Sequence, residues 1–215
     1  MKRNSAVQNP IKATLLLLAG GRGVRMGGSK LYLEIDGTLL IERILCETAP
    51  IFMETILLVS RGGKAEAVEK LGLILNKYNV RIVEDSKEAT GPLEGLCAGL
   101  ENMTQSWGFL VGCDMPSVQE NLARFMSTFC TKGTDVIAGE LNGYIEPLHA
   151  FYSKNCTAAV QKSLKNKQHK MKFFYRDINL IAIKKELLQT QGDVKKSFFN
   201  LNYPKDLIQM KKMVL

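Results

Sequence analysis

The sequence predicts an α/β fold built on a mainly parallel central sheet, and three observations carry that reading. Short apolar runs alternate with stretches of helical spacing as far as residue 130, and a glycine-rich loop follows the first run. Strands alternating with helices imply right-handed crossovers between parallel strands. The 215 residues suffice for one full core and are too few for two ordinary domains.

Residues 14–18 form an apolar run ending in glycines, which reads as a buried strand. Residues 19–30 are a long Gly/Arg loop. At 39–48 apolar side chains recur at Leu40, Ile41, Ile44 and Leu45, a helical spacing. A second strand spans 55–60 and a second helix 65–73. A third strand at 80–84 runs into Asp85. Gly91-Pro92 opens a helix with proline at its first position, and Leu93, Leu96, Ala98, Gly99 and Leu100 form its packing face. Residues 108–112 are a fourth strand, from whose end Cys113, Asp114, Met115 and Pro116 depart. A helix follows at 121–130, strands at 135–140 and 145–152, a helix at 157–165, a strand at 180–184 and a closing helix at 204–213. No repeat, low-complexity segment or linker divides the chain. The expected organisation is a mobile tail at 1–10 and one Rossmann-like domain, sheet flanked by helices, at 11–215.

Composition narrows the function classes. With 46% hydrophobic and 23% charged residues the chain is globular rather than disordered. No apolar run approaches the ~20 residues of a membrane helix. A signal peptide needs an apolar region of about 7–15 residues and a small-residue cleavage site, whereas here glycines and arginines interrupt the run after Leu18. A cytoplasmic protein without a membrane partner is expected. The five cysteines (Cys46, Cys97, Cys113, Cys130, Cys156) are odd in number and form no C-x-x-C pair, which fits reduced thiols rather than disulfides or zinc. Cys113 reads as a packing residue despite its neighbour Asp114. The net charge is +8, much of it between residues 162 and 212. Such a surface attracts polyanions, but few aromatics interleave with the lysines, so a solvated basic face is expected and nucleic acid is not.

Residues 18–30 read Leu-Ala-Gly-Gly-Arg-Gly-Val-Arg-Met-Gly-Gly-Ser-Lys. Glycines after a first strand let backbone N–H groups approach a phosphate closely. Arg22, Arg25 and Lys30 add cations that phosphate oxygens favour. Two phosphate loops fail here by one position each. The dinucleotide fingerprint G-x-G-x-x-G meets Met26 at its last place, and the Walker loop meets Ser29-Lys30 in reversed order.

L-A-G-G-x-x-x-R-M-G followed by a lysine resembles the opening signature of the molybdenum cofactor guanylyltransferases, the MobA-like nucleotidyltransferases. The likeness continues in chain order. Glu84-Asp85-Ser86 with Gly91-Pro92-Leu93-x-Gly95-Leu96 is similar to the family's central segment, and Cys113-Asp114-Met115-Pro116 to its C-D-x-P. Glu146-Pro147-Leu148-His149-Ala150-Phe151-Tyr152 resembles its P-L-x-A-x-Y strand, and the stretch from Phe199 to Leu207 its closing N-x-N-T-P-x-D/E-L.

The resemblance implies a nucleotide-diphospho-sugar transferase-like fold. It also implies transfer of GMP from GTP to the phosphate of molybdenum-bearing molybdopterin, with release of pyrophosphate. It places Leu18, Ala19, Gly20 and Gly21 against the nucleotide through backbone groups, and Lys30, assisted by Arg25, on its phosphates. Asp85 would contact the nucleoside, Asp114 would hold Mg2+, and Asn202 is a candidate second contact to metal or cofactor phosphate. GTP, the molybdopterin cofactor and a recipient molybdoenzyme or cofactor chaperone are the implied partners.

Read by themselves, His149 is a packed strand residue and Asn202-Tyr203-Pro204 a helix cap. The chain departs from the family pattern at Ser29, where aspartate is frequent, at Ser60-Arg61-Gly62-Gly63, where asparagine is frequent, and at Tyr203 in place of threonine. Gly20 favours GTP over the L-A-A-G of enzymes using CTP. The alternatives are a relative using CTP or acting on a sugar phosphate, and a nucleotide-binding adaptor without catalysis.

Overall fold

Strand β1 (Ile11–Leu18) alternates its leucines between two cores. Leu15 and Leu17 enter one and Leu16 and Leu18 the other. A strand covered on both faces can be apolar at every position, which is why this run shows no alternation of polarity. The computed structural model describes residues 9–19, 30–85 and 91–214, with backbone alone for Lys30, Pro204 and 211–214.

Around β1 the sheet grows in both directions. β4 (Phe52–Val59) and β6 (Trp107–Gly112) flank it in parallel, and β5 (Val80–Glu84) lies outside β4. β7 (Val136–Leu141), β8 (Tyr144–Ser153) and β9 (Leu180–Lys184) complete the order β5-β4-β1-β6-β8-β7-β9. Only β8 runs antiparallel to its neighbours, so the sheet is mainly parallel, as expected. A small hairpin of β2 (Glu34–Ile35) and β3 (Thr38–Leu39) lies apart from it.

Helices cover both faces. α1 (Leu40–Thr48), α2 (Lys64–Lys77) and α4 (Glu120–Ser127) pack on the Leu15/Leu17 side through Ile44, Leu71 and Leu122. Three C-terminal helices, α6 (Lys185–Gln189), α7 (Val194–Ser197) and α8 (Pro204–Val214), add Leu188, Val194 and Met210 to that side. α3 (Pro92–Asn102) and α5 (Thr157–Lys165) cover the other face through Leu93, Leu96 and Val160. Leu16 and Leu17 are fully buried, so truncating either to alanine costs about 2–5 kcal/mol.

Several boundaries move for local reasons. The first strand starts at Ile11 rather than 14, because Ile11 and Ala13 are also buried. The strand expected at 55–60 begins at Phe52, which stacks on Phe109. The second helix continues to Lys77, carrying Leu75 into the core. The helix expected at 121–130 stops at Ser127, where the amides of Thr128, Phe129 and Cys130 turn back onto Phe125, Met126 and Ser127. The β2–β3 turn and the β7–β8 turn use the same device: Asp36-Gly37 and Asn142-Gly143 all have positive φ, as a tight hairpin requires. Between 165 and 196, where only one strand was expected, the chain adds a 3-10 segment (Met171–Asp177), α6 and most of α7.

The expected tail at 1–10 lies outside the described residues except for Asn9 and Pro10, which are exposed. All five cysteines are free thiols, and burial pushes Cys97, Cys130 and Cys156 up to about 12, which leaves them protonated and inert. Among the described residues no helix is long and apolar enough to cross a membrane.

Candidate active site

β1 connects through α1 to β4 on one side, while β6 lies on its other side. Ligands of open α/β sheets bind at such a reversal, outside the carboxyl ends of the strands. Here the ladder runs one residue past each strand. The Ala19 amide donates to Leu58 O at 2.9 Å, and the Cys113 amide to Leu18 O at 3.0 Å. Asp114 therefore leaves β6 beside Ala19.

Of the loop residues expected to contact phosphate, Gly20, Gly21 and Arg25 lie outside the described residues, as does the side chain of Lys30. The Lys30 backbone opens a 3-10 turn (Lys30–Tyr32) that buries Leu31 in the core.

Asp85 ends β5. Its amide donates to Val59 O, and its Oδ1 accepts the Arg61 amide at 2.9 Å. The segment 60–63 is thus tied to Asp85 by backbone. Burial pushes the Asp85 carboxyl up, the Arg61 amide offsets part of the rise, and Glu94 and Glu84 add to it. Three strand spacings separate Asp85 from Asp114 in the order β5-β4-β1-β6, about 14 Å, comparable to the reach of a nucleoside triphosphate.

The carboxylate of Asp114 lies directly over Gly112, where any Cβ would collide with it. Its main chain is held on two sides: the following Met115 amide donates to Gly112 O, and Leu201 N donates to Asp114 O at 2.7 Å. Across the sheet stands Glu146. The β6–β8 ladder ends at Leu110 and Ala150, and Asp114 and Glu146 lie beyond it. Burial pushes the Glu146 carboxyl up, the Leu148 amide at 3.1 Å offsets this, and the charge of Asp114 adds to the rise.

A wide bulge in β8 places Glu146 there. Ile137 pairs with Phe151 but Gly139 with Glu146, so two steps along β7 correspond to five along β8. His149 sits in the bulge with φ 79°, unusual for a non-glycine residue, at a cost of about 1–3 kcal/mol. The bulge is braced on both faces. Tyr152 donates its hydroxyl to Pro147 O at 2.7 Å, and His149 is fully buried between Phe109 and Phe198. His149 is thus the packed strand residue expected, with a backbone the sequence did not announce.

Asn202 arrives beside Asp114 through the Leu201 bond. The cap of α8 is supplied from inside the helix: Asp206 Oδ2 accepts the Asn202 and Tyr203 amides, both at 2.8 Å.

The sequence profile of the MobA-like NTP transferase domain matches residues 15–181. The chain belongs to this family. It is 34% identical over 203 residues to a probable molybdenum cofactor guanylyltransferase of Pelotomaculum thermopropionicum, covering 94% of each chain. It is 35% identical to another of that description from Thermococcus gammatolerans, covering 91% of this chain and 97% of the relative. The fold is similar to that of molybdopterin-guanine dinucleotide biosynthesis protein A from Archaeoglobus fulgidus, with a TM-score of 0.80 at 23% identity, covering 94% and 98% of the two chains.

Within this MobA-like frame two features escaped the sequence. Glu146 opens the quoted P-L-x-A-x-Y segment, but only the bulge turns its carboxylate toward Asp114. His169, from the basic stretch after α5, places Nδ1 2.6 Å from Glu94 Oε1 at the start of α3, so that stretch reaches the rim near Gly91. No local pattern marks that contact.

Proposed function

We propose that this protein transfers GMP from GTP to the terminal phosphate of molybdenum-bearing molybdopterin, releasing pyrophosphate and forming the guanine dinucleotide form of the cofactor. The observation that carries the reading is Asp114 at the end of β6, beside Ala19 and across from Glu146, at the reversal of the sheet. Two anions must meet there, so their repulsion has to be neutralised and their approach aligned. The attacking phosphomonoester loses its second proton near a pKa of about 6, so no protein base is needed.

Mg2+ takes one or two carboxylates, phosphate oxygens and water. Asp114 and Glu146 offer hard oxygen donors, and the bare Gly112 leaves the Asp114 carboxylate room, so the donor set fits. Asp114 would hold the ion, and Asn202 is the candidate second contact to it or to the acceptor phosphate. The bound ion would neutralise phosphate charge. Gly20 and Gly21 would offer backbone amides to the phosphates, with Lys30 and Arg25 as cations. The Ala19 amide is taken by Leu58 and the Leu18 carbonyl by Cys113, so the Ala19 carbonyl is the backbone group that would meet the base. A carbonyl accepts, which suits the N1–H and amino donors of guanine. Asp85 marks the nucleoside end of the cleft. The protein works in the cytoplasm and passes its product to a molybdoenzyme or cofactor chaperone.

The test is transfer of label from alpha-labelled GTP with Mg2+, with and without molybdopterin acceptor. Acceptor-dependent label in a guanine dinucleotide is the expected result; transfer to a sugar phosphate, or from CTP in preference to GTP, overturns the reading. Thermal shift with GTP, CTP, ATP and UTP reports the base preference independently, because a ligand of the folded state raises apparent stability.

A further inference from the structure

We propose that His149, in its neutral form, is a positioning residue for the cation site: through Ser197 it locks the segment bearing Asn202 to the loop that follows Asp114. The proposal rests on the reading of Asp114 as metal ligand.

Three separate segments meet at one hydroxyl. The Gln119 amide, from the loop after Asp114, donates to Ser197 Oγ at 3.0 Å. His149 Nε2, from the β8 bulge beside Glu146, lies 2.6 Å from the same oxygen. Ser197 itself ends α7, fully buried, and four residues later Leu201 donates to the Asp114 carbonyl. The strap from 197 to 202 is thereby tied at both ends to the segment 114–119.

An amide N–H can only donate, so the Ser197 oxygen accepts from Gln119. The hydroxyl keeps its proton and a second lone pair for Nε2, so either neutral tautomer of His149 makes the bond. Nδ1 has no hydrogen-bond partner among the described residues. A buried polar atom left unmade is costly, and Phe109 and Phe198 flank the ring at 5.0 and 4.2 Å. An apolar ring would fill that space without the cost. What histidine adds over phenylalanine at this position is the hydrogen bond to Ser197.

The test is direct binding of Mn2+, a spectroscopic stand-in for Mg2+, to the full chain with GTP, read from the electron paramagnetic resonance of free Mn2+. His149→Phe keeps a ring and loses the hydrogen bond to Ser197; Ser197→Ala removes the hydroxyl and spares the bulge. Partners that orient metal ligands carry effects of this size, so each substitution should weaken Mn2+ binding about tenfold. The double variant should be no worse than either single one, and His149→Gln, whose amide offers both a donor and an acceptor near the position of Nε2, should recover most of the affinity. A fall in melting temperature with unchanged Mn2+ affinity in both single variants overturns the inference. Asp114→Ala separates the two levels: loss of Mn2+ binding there, with none in the His149 and Ser197 variants, sinks only the positioning role. Unchanged binding in Asp114→Ala sinks the metal reading and this inference with it.

Discussion

Leu201 donates its amide to the main-chain carbonyl of Asp114 at 2.7 Å. The peptide plane that carries Asp114 is therefore held from the C-terminal segment as well as from β6. Its carboxylate leans over Gly112 toward the strand that bears Glu146. Two carboxylates brought close repel, and that arrangement favours a positive charge between them.

Asp114→Asn should lower Mg2+-dependent transfer by at least about a hundredfold. It should leave the melting temperature near wild type, because the Leu201 bond that holds this turn uses the Asp114 main-chain carbonyl and not its carboxylate. Steady-state kinetics and a thermal melt check both. A large loss of stability would mean that Asp114 is chiefly structural.

Gly112→Ala tests the cradle. The added methyl meets Asp114 Oδ1 and lies 3.5 Å from Leu148 Cδ1. The carboxylate can swing aside, so the fold survives while the ligand geometry does not. A misplacement of about 1 Å costs on the order of 10²-fold in rate. Wild-type turnover in this variant would show that the observed carboxylate pose is irrelevant to catalysis.

Asp206→Ala removes the acceptor of two amides at the start of α8. Loss of such a cap costs about 1 kcal/mol. Because the same amides fix Asn202, the KM for the acceptor should rise while GTP binding stays near wild type. Equal losses for both substrates would place Asn202 outside the acceptor side.

The buried imidazole of His149 predicts a pH dependence of stability. Burial holds its pKa down, from 6.5 to about 4. The unfolded chain thus binds a proton that the folded protein refuses, so stability is full above about 6.5 and falls as pH drops toward 4. The shift corresponds to on the order of 3 kcal/mol at the lower limit. Melting temperatures between pH 7 and pH 4.5 should decline more steeply for the native chain than for His149→Phe. Parallel curves would contradict the assignment.

What the sequence determined by itself was the layer order. The apolar run Leu15–Leu18 of β1 demands cover on both faces, Gly91-Pro92 starts α3, and Asp114 follows a strand into a turn; each is decided within a few residues. The five ordered motifs likewise identified the family before any contact was known. The tertiary structure alone decided what meets Asp114. Glu146 arrives through a bulge whose extra residues are invisible to a two-residue period. Leu201, Ser197 and His149 converge by hydrogen bonds between segments far apart in the chain. Local pattern reflects the burial of each face, whereas the pairing of one distant amide with one carbonyl depends on how whole elements pack, and that is settled only when the core closes.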